Sequence, residues 1–184
     1  MRKDLGVKPY LCPQLVMIIG TYDENGNPNA MNAAWGGMAD YDKVMVCMSS
    51  HKTTDNIKIN QEFSISIGDL KHVVECDYVG IVSQNKEPNK MAKSGFTTSK
   101  AKFVNAPIIN ELPLCLECRL IKIVEEDLYI AQIINVNADE KILDAEGKVS
   151  IEKFIPISYD PTSHGYYKVE GRVGNAFSDG NKLK

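Results

Sequence analysis

The chain alternates dense apolar runs with short polar gaps, and the period inside each run separates strands from helices. "QLVMIIGTY" (14–22) is apolar at consecutive positions and predicts a buried strand. "DENGNPN" follows with Asn25-Gly26, a hairpin signal, and "AMNAAW" (30–35) returns as the second strand. "KVMVCMS" (43–49) is a third strand, apolar on both faces. "TTDNIKINQ" (53–61) predicts a short helix with Thr53 or Thr54 as N-cap. In "FSISI" the apolar Phe63, Ile65 and Ile67 alternate with Ser64 and Ser66, which predicts a half-buried strand.

After Asp69, a further cap, Val74, Tyr78, Ile81 and Val82 fall on one helical face. "EPNKMAKSG" (87–95) predicts a short helix with Pro88 near its start and Gly95 closing it. In "LCLECRLIKIV" (114–124), Leu114, Leu116, Cys118 and Leu120 share a face until the phase shifts at Ile121, as a bulge would shift it. "LYIAQIINV" (128–136) pairs with that run across the turn Glu125–Asp127. Hairpin-linked strands with short helices between them predict a mainly β fold, a small antiparallel barrel with helical insertions.

Length and composition narrow the function. The 184 residues carry no repeat or linker and are expected to form a single domain over 1–184. Lys and Arg number 21 against 24 Asp and Glu, scattered along the chain, so neither nucleic acid nor a membrane is expected as partner. No apolar run reaches the ~20 residues of a membrane helix. The N-terminal apolar patch is interrupted by Asp4, Pro13 and Gln14 and lacks a small-residue cleavage site, so a cytoplasmic location is expected. The five cysteines, an odd count mostly within apolar stretches, are expected to be reduced and buried. Cys115 and Cys118 form C-x-x-C in a β-like run, where a separation of three puts them on opposite faces. No metal or redox role is therefore assigned to them.

Two stretches carry candidate chemistry. "SSHKTTDNI" (49–57) ends a strand without glycine or proline and is stocked with donors. A helix opening there offers free N–H groups and a positive dipole end, and Lys52 adds a full charge. With the Ser and Thr hydroxyls this suits a phosphate monoester; it reads equally as a plain helix cap beside a solvated lysine. In "NAMNAAWGGM" (29–38), Asn29 and Asn32 precede small Ala33 and Ala34, the single Trp35, and Gly36-Gly37. Small residues beside an aromatic admit a flat ligand, and Asn bonds ring carbonyls or N–H groups. The other reading is a core or interface Trp beside a glycine turn. His164, in "PTSHGYY", is the histidine best placed for acid–base work, or else a solvated loop residue.

The order strand, "DENGNPNAMNAAW", strand, "SSHKTTDNI" resembles the FMN-binding split barrel of the flavin reductase-like family, and within it the flavoredoxins. "GIVSQNKEPNKMAKSG", "APIINELPLCLECRL", "ILDAEGKVSIEKFIPISYD" and "GYYKVEGRVGNAFSDG" follow in family-like order over roughly residues 10 to 180. The resemblance implies an antiparallel Greek-key split barrel with FMN as cofactor. Asn32, Ala33, Ala34 and Trp35 would flank the isoalloxazine. Ser49, Ser50, Lys52 and Thr54 would hold the phosphate, with His51 offering a backbone contact. Ser83 and Lys90 would close the pocket, Lys90 serving as a second cation for the phosphate or as a charge near the ring. A homodimer would complete the site, with the tail "GYYKVEGRVGNAF" at its interface. Two functions from different classes follow: an NAD(P)H-dependent oxidoreductase, or an electron carrier whose bound FMN is reduced by a redox-protein partner. His164 would assist nicotinamide binding in the first.

Overall fold

The computed structural model describes residues 1–184. Its strands are β1 (Gln14–Leu15), β2 (Met17–Tyr22), β3 (Pro28–Ala33), β4 (Gly36–Asp40), β5 (Lys43–Cys47), β6 (Glu62–Ile67), β7 (Thr98–Lys100), β8 (Pro107–Ile109), β9 (Leu114–Val124), β10 (Leu128–Ala138), β11 (Ile157–Asp160) and β12 (Gly165–Lys168). Helices are α1 (Lys52–Asn60), α2 (Val73–Ile81), α3 (Lys90–Ser94) and α4 (Ile151–Phe154). Seven strands form one curled antiparallel sheet in the order β3-β2-β6-β9-β10-β5-β4, the split barrel of the fold class. β1, β11 and β12 form a smaller sheet beside it, and β7 pairs with β8. No helix is long and apolar enough to cross a membrane.

Two cores explain the apolar runs. Inside the curl, Ile19, Val46, Phe63, Ile65, Cys118 and Tyr129 pack together. On the other face, Val16, Ile18 and Ala30 meet Cys76 and Val79 of α2 and Met91 of α3. β2 is covered on both sides, hence its consecutive apolar residues. The β9–β10 register skips Ile121, since Leu120 pairs with Ala131 and Lys122 with Ile130; the phase shift is a bulge. Asp69 caps a 3₁₀ turn by accepting from the backbone N–H of Lys71 and His72. Gly95 ends α3 at φ 79°.

The structure corrects the α1 cap, the half-buried face of β6, the inward face of α2 and the burial of two of the cysteines, and it sets aside the alternative of a glycine turn after Trp35. The N-cap of α1 is His51, neither Thr53 nor Thr54; Thr54 lies one turn in, where its hydroxyl accepts from His51 N at 2.8 Å. β6 is buried on both faces: Ser64 and Ser66 are 0% exposed because β8 covers that side, with Ser64 donating to Pro107 O. α2 turns Cys76 and Val79 inward, while Val74 and Ile81 are 77% and 74% exposed. The helix presents its small residues because Gly80 must approach Asn32 closely; a Cβ there would sit 2.9 Å from Asn32 Cβ. Gly36 and Gly37 form no turn but begin β4, and a Cβ on Gly36 would meet Met45 O at 2.5 Å. Among the cysteines, Cys76, Cys115 and Cys118 are buried, Cys47 is half-buried and Cys12 is exposed; all are free.

Candidate functional site

α1 begins where β5 ends, directing its first turn across β3. The other wall comes from the end of α2 and the start of α3. Together they enclose a hollow of about 110 Å³ lined by Asn29, His51, Lys52, Thr53, Ser83 and Lys90, among others. It adjoins a more open hollow of about 430 Å³, and both share Lys52 and Gln84. The structure thus brings together Lys52, His51, Ser83 and Lys90 from three separate segments of chain.

Lys90 is only 3% exposed. No carboxylate pairs with it, and burial alone pushes its ammonium down to about 8. A buried cation without a counter-charge is costly. Lys52 adds a second positive charge at the α1 N-terminus, where backbone N–H groups and the helix dipole point the same way. Ser83 Oγ accepts from Asn85 N at 3.3 Å, leaving its proton for a further acceptor. Two buried acceptors in the same hollow, Asn29 Oδ1 and Gln84 Oε1, have no hydrogen-bond donor. Asn29 is held in place by its own Nδ2, which donates to Thr53 Oγ1 at 2.8 Å.

Donors and cations around one point fit a phosphate, and orphaned acceptors beside them fit the hydroxyls of an attached sugar chain. The enclosed volume is too small for a fused ring system as well. Trp35 is 51% exposed and borders an apolar groove of about 600 Å³ with Ala34, Gly36, Met45 and the segment around Leu11.

The remaining residues singled out in the sequence lie differently. Ser49 and Ser50 are exposed beside the α1 N-terminus; Ser49 Oγ meets His51 Nε2 at 3.1 Å. The Thr54 hydroxyl is engaged by His51 N and O and shapes the helix start from within. Ala33 is packed in the barrel core. Asn32 points its amide NH₂ at α2 and β12. His164 sits in the exposed β11–β12 turn at φ 55°, its Nδ1 2.8 Å from Tyr159 OH, and lines none of these three cavities. The sequence pattern marks Asn29 without a phosphate-side role and Thr53 only as a cap or one hydroxyl of the donor loop, and nothing in it marks Gln84. Asn29 shares a strand face with Met31, a period-two signal that marks it as facing the same hollow.

Comparison with known proteins identifies the family of the fold. The family model described as "Flavin reductase like domain" matches residues 10–163. The structure is similar to flavoredoxin of Desulfovibrio vulgaris (Miyazaki F), 34% identical over 98% of this chain and 100% of that one, with a TM-score of 0.94. It is similar also to flavoredoxin from Methanosarcina acetivorans, 26% identical over 100% and 98%, with a TM-score of 0.87. An uncharacterised protein of Archaeoglobus fulgidus is 28% identical over 79% of this chain and 84% of its own length. With its curled sheet, its matching model and these relatives, the chain belongs to the flavin reductase-like domain family.

Proposed function

We propose that the chain binds FMN and passes electrons through it as an NAD(P)H-dependent oxidoreductase. Lys90 carries the FMN part of this reading: a buried, unpaired ammonium facing the same hollow as Lys52 needs an anion. Lys52, Lys90, Ser83 and the first turn of α1 hold the phosphate, with His51 offering its backbone and Ser49 and Ser50 bordering the entrance. Thr54 keeps that turn in shape. Asn29 and Gln84 accept from the ribityl hydroxyls. The ring lies along Asn32, Ala34, Trp35 and the backbone of Ala33, whose own side chain faces the barrel core. Bound FMN would supply two-electron redox chemistry that no side chain here offers. A homodimer covers the ring, since the hollow encloses too little volume to do so alone.

The second reading is an electron carrier reduced by a protein partner, without nicotinamide activity. Its support is the 34% identity to a flavoredoxin across 98% of the chain. Absorption spectroscopy of the purified protein, followed by anaerobic NADH and NADPH, separates the two. Rapid bleaching of a bound-flavin spectrum is expected for the oxidoreductase. A flavin that bleaches only with dithionite supports the carrier, and failure to bind added FMN refutes both.

A further inference from the structure

Asn32 is the last polar side chain of β3 before Ala33, Ala34 and Trp35, and two elements, α2 and β12, converge on its amide. Nδ2 donates to Cys76 O of α2 at 3.0 Å and to Tyr166 OH of β12 at 3.3 Å. The Tyr166 hydroxyl in turn donates to Asp77 Oδ1 at 2.8 Å. The order of donors is forced by chemistry. A carboxylate and a backbone carbonyl only accept, so the tyrosine proton belongs to Asp77 and the tyrosine oxygen can only receive from Asn32. Both neighbours of the amide therefore demand its NH₂ group, and the carbonyl oxygen is turned the other way, without a protein partner. Burial, and then the bond to Asp77, raise the Tyr166 pKa, so the hydroxyl keeps its proton at any working pH. Gly80 closes the helix against this amide, where a side chain would collide with Asn32.

We infer that Asp77 and Tyr166 are positioning residues that hold Asn32 as a hydrogen-bond acceptor for the ring N–H of the flavin. This rests on the ring lying along Asn32 to Trp35, as proposed above. An oxidised isoalloxazine carries a single N–H, at N3, flanked by two carbonyls. An amide fixed with its oxygen outward matches that N–H and is repelled by the carbonyls on either side of it, whereas the same amide turned over would present its NH₂ to the carbonyls and repel the N–H. The Asp77–Tyr166 pair thus sets which edge of a flat heterocycle the site accepts.

The test compares FMN with its N3-methyl derivative, each titrated into the full-length protein and followed by flavin fluorescence. The wild-type chain should bind FMN about three- to ten-fold more tightly than the methylated form, the worth of one hydrogen bond. Tyr166→Phe retains the ring but removes one of the two acceptors for Nδ2, leaving only Cys76 O to hold the amide, so the ratio should fall. Asp77→Ala, which frees the tyrosine proton to point at Asn32, should act the same way and decides the matter if the first variant fails to fold. A purely packing role for Tyr166 would weaken both flavins equally, so an unchanged ratio in a folded variant overturns the inference while FMN binding itself stands. A wild-type chain that binds neither flavin overturns the FMN reading first, and this inference with it.

Discussion

A buried lysine without a counter-charge has its proton affinity set by what occupies the space around it. Lys90 without a ligand holds its ammonium against desolvation, with its pKa lowered from 10.5 to about 8. Between those values the unfolded chain binds the extra proton and the folded chain does not, so this residue makes stability rise with pH across that window. A bound phosphate reverses the preference, because the dianion favours the charged form. FMN affinity should therefore fall as pH climbs through about 8, while the flavin-free protein gains thermal stability over the same range. Lys90→Met should flatten both profiles and weaken FMN binding by ten-fold or more, about the worth of one charge-assisted bond. Flavin titrations and melting curves between pH 7 and 10 check both signs. The sequence named Lys90 only through its place in a family-like stretch. Its burial depends on α3 docking against α2 and β3, which no local pattern encodes.

At the level of elements, β2 and β6 meet β8 so closely that one position tolerates no side chain. A Cβ on Gly20 would lie 2.4 Å from Ser64 Oγ and 2.7 Å from Pro107 O. Gly20→Ala should destabilise the fold by about 1–3 kcal/mol through this overpacking, read as a lowered denaturation midpoint. The paired variant Gly20→Ala with Ser64→Gly should recover part of the loss. The β9–β10 hairpin was legible, including the bulge at Ile121, because alternation reports directly on the pleat, and β2 was legible as a continuous apolar run closed by a turn signal. β6 misled because serines normally mark water, and here they mark a second buried layer. α2 misled for the opposite reason. Val74 and Ile81 form an apolar stripe at helical spacing, yet the sheet needed the narrower face of Cys76, Val79 and Gly80. The α1 cap was misplaced by one turn because a Thr at the third helical position supplies the same hydroxyl as a capping Thr.

Across the whole molecule, apolar residues gather where the proposed ring site opens. Trp35, Met38 and Met45 are 51%, 57% and 38% exposed along the β4–β5 edge. The C-terminal tail leaves Val173 and Phe177 fully uncovered. Patches of this kind mark association surfaces, so light scattering should give the mass of two chains. Met38→Lys combined with Met45→Lys should shift the protein toward monomer and lower flavin retention; a monomeric wild type that retains flavin would refute the dimer-covered site. By itself the sequence determined the strand runs, the hairpins, the donor-rich start of α1 and the family, because each is written in neighbouring residues or in their order. Only the tertiary structure decided which helix face is inward, which serines are buried and which lysine lacks a partner. Those properties arise where segments distant in sequence, α1, α2, α3 and β3, exclude water from one another, and desolvation is a property of that joint arrangement.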